Sequence, residues 1–387
     1  MPELNPDVLA TPGSGIRDIM NRAFAMPDAI RLEVGEPSFP TPEHIRRAAL
    51  EALEAGRTRY TPTAGLPALR EAARDKVRRI NGVERPVEGV MMTPGAGGGL
   101  YLALRTLTRP GEGVLLPDPG WANYASAVAA LGLRAIPYPL RPPAFVPDPG
   151  ELARRADAAT RVLLVNFPSN PTGAVPEADW VEAVAKLAAE RDLWIVSDEV
   201  YDQLVFEGAA TSPARFAPDR TVAVYSFSKT YAMTGWRLGY VAASPAVTPW
   251  LVRLAEQVWQ SVAEPTQWAG LAALTGDQAA VDAMRDAYRR RRDLALATAR
   301  EAGLTTYRPR GAFYLMVDVS ASGLDDRAFA LDLLENERVA VVPGTAFGAE
   351  GRGLVRLSLA ASEAEIAEGI RRIARRVRSR AAELRGA

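Results

Sequence analysis

The sequence predicts an α/β protein, with a mostly parallel sheet of seven strands between helices and a smaller α+β part built from both chain ends. Three observations predict it. Short, continuously apolar runs recur between residues 89 and 243, separated in many places by helical segments, as strands buried on both faces of a parallel sheet read. Past residue 280 the texture changes to a basic helix, a set of short strands and a final amphipathic helix. The length, 387 residues with 48% hydrophobic and 24% charged, allows a full core and a second unit.

Residues 1–40 carry Pro2, Pro6, Pro12, Pro27, Pro37 and Pro40 and read as an extended arm with a short helix over 16–25. Thr41-Pro42 then opens a helix, with Thr41 as N-cap and Pro42 at the first helical position. Its apolar face is Ile45, Ala48, Ala49, Ala52 and Leu53, and Gly56 closes it. A second helix shows Leu69, Ala73, Val77 and Ile80 at helical spacing. Strands follow at 89–93, 112–116, 134–139, 161–167, 192–197, 221–227 and 238–243. Between two of them, a helix over 178–191 turns Val181, Val184, Ala185 and Ala188 inward. A basic helix over 282–302 leads into an antiparallel set at 313–319, 338–342 and 354–359. Ser362 and Glu365 stand in capping-box spacing at the start of the last helix, whose face is Ile366, Ile370, Ile373, Val377 and Leu384. The expected division is 1–42 as arm and part of a small domain, 43–280 as large domain and 281–387 as small domain.

Composition removes several functions. Basic and acidic residues balance at 46 each, so there is no charge excess of the kind nucleic-acid binding requires. With no cysteine and only His44 as imidazole, disulfides, thiol nucleophiles and multi-histidine metal sites are excluded, and no metal is expected. No apolar run is long enough to span a bilayer, and the first 30 residues lack a signal-peptide pattern, so a cytoplasmic protein is expected.

Only three of the 46 basic residues are lysines: Lys76, Lys186 and Lys229. Arginine replaces lysine almost everywhere but cannot supply a neutral amine. Lys76 and Lys186 lie among other charges on amphipathic helices and read as solvated faces. Lys229 follows the strand at 221–227, in a loop at a strand's carboxyl end, where α/β enzymes hold their ligands. An amine there, near other cations, has a lowered pKa and can form a Schiff base with an aldehyde. Asp198 ends another buried run, followed by Glu199, Val200 and Tyr201. Such a carboxylate either caps the next segment or meets a cation or donors. Asn166-Phe-Pro-Ser-Asn-Pro-Thr-Gly173 gives a rigid turn with two amides. Gly95-Ala-Gly-Gly-Gly99 opens a helix after a strand, either as a phosphate cradle or as a plain tight turn, and lacks the Gly-Lys-Ser/Thr of a Walker loop.

Taken together, the order and spacing of these signals resemble the class I/II aminotransferases, the aspartate-aminotransferase-like family of fold type I pyridoxal-phosphate enzymes. The resemblance runs from Val34-Gly-Glu-Pro-Ser-Phe-Pro-Thr-Pro42 to Val355-Arg-Leu-Ser358. It includes Tyr60-Thr-Pro-Thr-Ala-Gly65, Ser226-Phe-Ser-Lys229, Pro309-Arg-Gly-Ala-Phe-Tyr314 and Val342-Pro-Gly-Thr-Ala-Phe-Gly348.

The resemblance implies a pyridoxal 5'-phosphate cofactor held as an aldimine on Lys229, which then shuttles the substrate proton. Asp198 would pair with the pyridinium nitrogen, Tyr201 and Asn170 would bond the ring's 3′ oxygen, and Trp121 would stack on the ring. Ala96 and Gly97 amides, Ser226, Ser228 and Arg237 would hold the phosphate. Tyr60 would reach the phosphate of a neighbouring subunit, implying a homodimer. Arg356 would clamp the substrate α-carboxylate, with Asn170 and Gly35 also on the substrate side. The implied reaction is ping-pong amino transfer between an L-amino acid and a 2-oxo acid; the alternative on the same scaffold is β- or γ-elimination. Gly97 stands where the family often has a serine, threonine or lysine, so one side-chain contact to the phosphate is expected to be missing. Ser38 stands where aspartate is common. The Arg289–Arg292 run reads as a solvated face and His44 as non-catalytic. Phe39, Phe313 and Tyr314 tilt the substrate away from an exclusively acidic side chain.

Overall fold

A computed structural model describes every residue except 1, 3, 10, 12–14 and 387, so Pro12 of the predicted arm lies outside the described residues. In chain order the strands are β1 (Ile30–Arg31), β2 (Val90–Thr93), β3 (Gly113–Asp118), β4 (Arg134–Pro139), β5 (Thr160–Asn166), β6 (Trp194–Asp198) and β7 (Thr221–Ser226). Then come β8 (Gly239–Ala242), β9 (Thr306–Tyr307), β10 (Tyr314–Asp318), β11 (Val339–Ala340), β12 (Val342–Pro343) and β13 (Leu354–Ser358).

All seven runs predicted between 89 and 243 become one sheet, in the order β2-β8-β7-β6-β5-β3-β4. Its strands are parallel except β8, which runs antiparallel to both neighbours. The central strands are buried on both faces, and Leu164, Val196, Val222 and Val224 lie in one of the resulting cores. Crossover helices cover them, among them Ala178–Glu190 with Val181, Val184, Ala185 and Ala188 buried as predicted. β4, at the edge, is exposed over its first half.

The C-terminal strands form a second sheet, β12-β13-β10-β9, antiparallel throughout. The predicted strand 338–342 is in fact two. β11 leaves this sheet to pair in parallel with β1 from the arm, and β12 returns to β13. Three smaller expectations also fail locally. Thr41 does not cap the helix Glu43–Glu54; its hydroxyl donates instead to the Ala232 carbonyl at 2.6 Å. The helix Pro67–Lys76 loosens into a π turn, Val77–Asn81, which rotates Ile80 toward solvent at 37% exposure. Leu384, past the buried face of the last helix, is also exposed.

That last helix, Glu363–Gly386, has the predicted capping box: the Ser362 hydroxyl accepts from the Glu365 N–H at 3.2 Å, and Glu365 accepts from the Ser362 N–H at 2.9 Å. It is tied to the helix Asp326–Glu337 through Asp332, which bonds Arg376 and Arg380. Chiefly the Arg376 bond, with Arg380 adding, holds the Asp332 carboxyl down at about 2, below its ordinary 3.8. A depressed carboxyl contributes stability that is fully present above its unfolded value and is lost as pH falls through the folded one. Asp332→Asn is therefore expected to lower stability at pH 7 by about 1 kcal/mol, after allowance for solvent screening. Urea unfolding of parent and variant should converge below about pH 2.

Candidate active site

Above the carboxyl ends of the central strands lies a cavity of about 370 Å³. Strand register decides what faces it. β5 ends on Asn166, which lies in register with Asp198 at the end of β6, and β7 ends on Ser226, two residues past the partner of Asp198. The Asn166 amide donates to the Asp198 carbonyl at 3.0 Å and accepts the Asn170 N–H at 2.9 Å, which folds the 166–173 turn over the strand end.

Asp198 forms part of the wall and is 2% exposed. One carboxyl oxygen accepts the Tyr124 hydroxyl at 2.6 Å and the other the Val200 N–H at 3.3 Å. Burial lifts this carboxyl to about 6 despite the Tyr124 bond. A cation placed beside it would reverse that rise.

Lys229 sits in the single turn Phe227–Thr230, capped by Ser226, whose hydroxyl accepts the Ser228 N–H at 3.1 Å. Its Nζ donates to the Gly35 carbonyl at 2.6 Å and stands 5.9 Å from the centre of the Phe313 ring. Desolvation brings the amine down to about 8; Glu36 opposes the fall, while Arg356 and Arg237 add to it.

Arg356, in the middle of β13, enters from the other sheet and is 2% exposed. It donates to Asn170 Oδ1 and to the Glu33 carbonyl, both at 2.9 Å, and lies over the rings of Tyr314 and Phe347 at 4.2 and 4.7 Å. Both of these bonds go to neutral oxygens, and among the described residues its buried Nε has no hydrogen-bond partner. A buried guanidinium in this state calls for an anion.

The third feature is a cradle. The glycine-rich turn opens the helix Gly95–Leu107, and its Ala96 and Gly97 line the cavity. Gly95 has φ 71°, and a Cβ there would come within 2.5 Å of Arg237 Nη2. A Cβ on Gly239 would lie 2.7 Å from the Gly95 carbonyl carbon and 2.9 Å from the Ala96 nitrogen. Gly239 therefore needs glycine for the two backbones to pass this close, and Gly95 for its left-handed φ. Ser226, Ser228 and Arg237 line the same end, and Arg237 is held at φ 53°, bonded through Nη1 to the Thr234 carbonyl at 2.9 Å. Helix-terminal amides, two hydroxyls and a guanidinium suit a phosphate dianion. Gly97 leaves an opening, since a Cβ there would meet nothing within 4 Å.

Of the residues predicted from sequence, Gly35, Ala96, Gly97, Trp121, Asn170, Asp198, Tyr201, Ser226, Ser228, Lys229, Arg237 and Arg356 all line this one cavity. Tyr201 shares a hydrogen bond of 2.9 Å with the Tyr314 hydroxyl, and Trp121 meets Tyr124 edge-on at 5.4 Å. Tyr60 does not join them: it is 85% exposed, in a surface hollow beside Ser261 to Pro265. Phe39 and Phe313 are absent from the wall; they pack behind it against Tyr288.

Sequence reasoning missed Tyr124, Asn166 as a wall residue, Glu36, Thr234, and the roof residues Ile16 and Met20. Tyr124 had a signal: it lies in the first turn of the helix Ala122–Ala130, three residues after Trp121, which caps that helix. One reading of charge was wrong, and another held for only part of its run, where Arg289 and Arg290 are exposed. Lys76 is not solvated but 4% exposed, because a buried carboxylate on another loop, Asp202, receives it. In the Arg289–Arg292 run, Arg292 is 2% exposed and donates to Glu207 at 2.8 Å, while Arg291 reaches back to Ser38.

An amine of lowered pKa, a buried carboxyl able to face a cationic ring, a phosphate cradle and an unneutralised arginine share one crevice. They fit pyridoxal phosphate together with an amino acid, and they define the class as fold type I pyridoxal-phosphate enzymes. Comparison with known proteins narrows this. The family model for aminotransferase class I and II matches residues 27–373. An aspartate aminotransferase of Pyrococcus horikoshii is 40% identical over 371 residues, covering 95% of each chain. An aspartate/prephenate aminotransferase of Thermus thermophilus is 42% identical over 352 residues, covering 90% of this chain and 91% of that one. The solved aspartate aminotransferase from Thermus thermophilus with maleate superposes with a TM-score of 0.93 at 40% identity, over 97% of this chain and all of that one. The chain belongs to the class I and II aminotransferases, and it is a pyridoxal-phosphate-dependent transferase of amino groups between amino acids and 2-oxo acids. Nothing among these relatives supports the elimination alternative.

Proposed function

We propose that this chain's transamination is carried out by Lys229, Asp198 and Arg356 around one cofactor site. Pyridoxal phosphate, when bound, supplies the electron sink for the pair left on the substrate Cα. The amide cradle, Ser226, Ser228 and Arg237 would hold the phosphate, Trp121 would cover the ring, Asp198 would face the ring nitrogen, and Tyr201 and Asn170 would flank its 3′ oxygen. Arg356 binds the substrate α-carboxylate and so fixes which Cα substituent points at Lys229. Lys229 Nζ, an amine that burial brings down to about 8, would take the Cα proton and hand it back. The observation that carries this reading is Arg356: a buried cation bonded only to neutral oxygens, beside the amine, is a carboxylate receptor.

The test is to load the protein with pyridoxal phosphate and add one L-amino acid without an acceptor. One equivalent of 2-oxo acid per site with no ammonia is the expected result; ammonia with turnover would mean elimination.

Three further readings belong with this one. The chain works as a homodimer in which Tyr60 serves the partner's site, a reading supported by its exposure away from its own cavity; sedimentation at micromolar concentration checks it. The division at about residues 42 and 280 is supported by β1, which leaves the arm to pair with β11. A cytoplasmic location is supported by composition alone. Among the described residues no helix is long and apolar enough to cross a membrane.

A further inference from the structure

Two of the three lysines are accounted for: Lys186 pairs with Glu190 at the surface, and Lys229 faces the cavity. Lys76 has no place in the site, yet it is 4% exposed in a chain that uses arginine almost everywhere else. It ends the helix Pro67–Lys76, and the π turn that follows carries Asn81 round to meet it. Lys76 Nζ contacts the Asp202 carboxylate and donates to Asn81 Oδ1 at 3.1 Å. The Asn81 amide donates in turn to Asp202 at 2.9 Å and to Glu199 at 3.3 Å. Glu199 also accepts the Ser197 and Ser212 hydroxyls at 2.9 and 2.6 Å. The ammonium lies 4.5 Å from the centre of the Tyr225 ring.

Every group in this network is more than nine-tenths buried. What it grips is the turn after β6. Along that turn, Asp198 and Tyr201 face the cofactor cavity, while Glu199 and Asp202, each the next residue, enter the network behind it. We propose that Lys76 is a positioning residue for the transamination: by holding Asp202 and, through Asn81, Glu199, it sets the turn on which Asp198 and Tyr201 meet the cofactor. This rests on the roles proposed above for those two residues. Lysine suits the place because a compact ammonium offers three donors and can sit over a phenol face, whereas a planar guanidinium needs more room and a fixed fork.

The experiment compares parent, Lys76→Arg and the double variant Lys76→Met/Asp202→Asn, each prepared free of cofactor. Pyridoxal phosphate is titrated in, and three quantities are read: its dissociation constant, the pH midpoint of the bound cofactor's absorbance, and the melting temperature of the cofactor-free protein. The double variant removes the Lys76–Asp202 pair together and leaves Glu199 on its Ser197, Ser212 and Asn81 donors, so it should melt within a few degrees of the parent. It should nevertheless bind the cofactor about tenfold more weakly, as loss of an outer partner of a site does, with a displaced midpoint. Lys76→Arg should show weaker binding together with a lower melting temperature, since the larger guanidinium crowds the buried site. Parent-like affinity and midpoint in the double variant would reduce the network to a fold contact and overturn the inference. If the double variant does not fold, Lys76→Arg decides by the same criterion. A parent that takes up no pyridoxal phosphate would instead overturn the site assignment itself.

Discussion

Lys229→Ala should lower kcat/KM for amino transfer by about ten-thousand-fold, the upper range for a positioned proton-transfer group, with no comparable change in melting temperature. The side chain makes a single hydrogen bond, to the Gly35 carbonyl, so its removal leaves the surrounding core intact. The phosphate cradle and Trp121 do not depend on it, so the variant should still take up pyridoxal phosphate. Its absorbance should resemble the free aldehyde's and should not respond to pH as the parent's does. In the parent, capture of the cofactor by the amine requires the unprotonated form. Because burial has brought that group to about 8, the capture rate should climb roughly tenfold per pH unit up to about pH 8 and level off above it. Stopped-flow mixing of cofactor-free protein with pyridoxal phosphate from pH 6 to 9.5 checks the midpoint. A rate still climbing tenfold per pH unit at pH 9.5 would mean the amine is solvated.

Arg356→Ala should reduce kcat/KM by about three orders of magnitude, through a loss of about 4 kcal/mol when a hydrogen-bonded charge pair is truncated. The loss should be nearly the same for every amino acid tested, because the α-carboxylate is common to them all. Arg356→Lys keeps the charge but not the fork, and should recover only part of the loss. Amines lacking the carboxylate should be equally poor with parent and variant. A variant defect confined to acidic amino acids would place Arg356 at the side-chain end of the substrate instead.

The strands at 89–243 were legible because each buried strand shows its apolar run without reference to its neighbours. What pairs with what was not: the split of 338–342 depends on β1, which lies some three hundred residues earlier and has no pattern of its own. The site was legible for a related reason. Asp198 and Lys229 stand at or just past the ends of buried strands, where a carboxylate or an amine is costly unless a ligand or a partner meets it, whereas Arg356, in the middle of β13, is legible only through the family resemblance. Tyr124 and Lys76 show where this stops. Each sits on a helix that looks ordinary, and each is defined by a buried carboxylate distant in sequence, Asp198 and Asp202 respectively. Burial of a charge is settled by its partner, and the partner is a product of the fold. Tyr60 lies at the other limit: it is 85% exposed and away from the cavity, and the partner proposed for it is a second chain.

The most direct measurement is reduction of the loaded protein with borohydride followed by peptide mass mapping, which fixes the cofactor to whichever amine it is bonded to. A single modified peptide, with the added mass on Lys229 and none on Lys76 or Lys186, is the predicted result. Modification at another lysine, or no covalent adduct in a protein that binds pyridoxal phosphate, would contradict the placement of the chemistry at the end of β7.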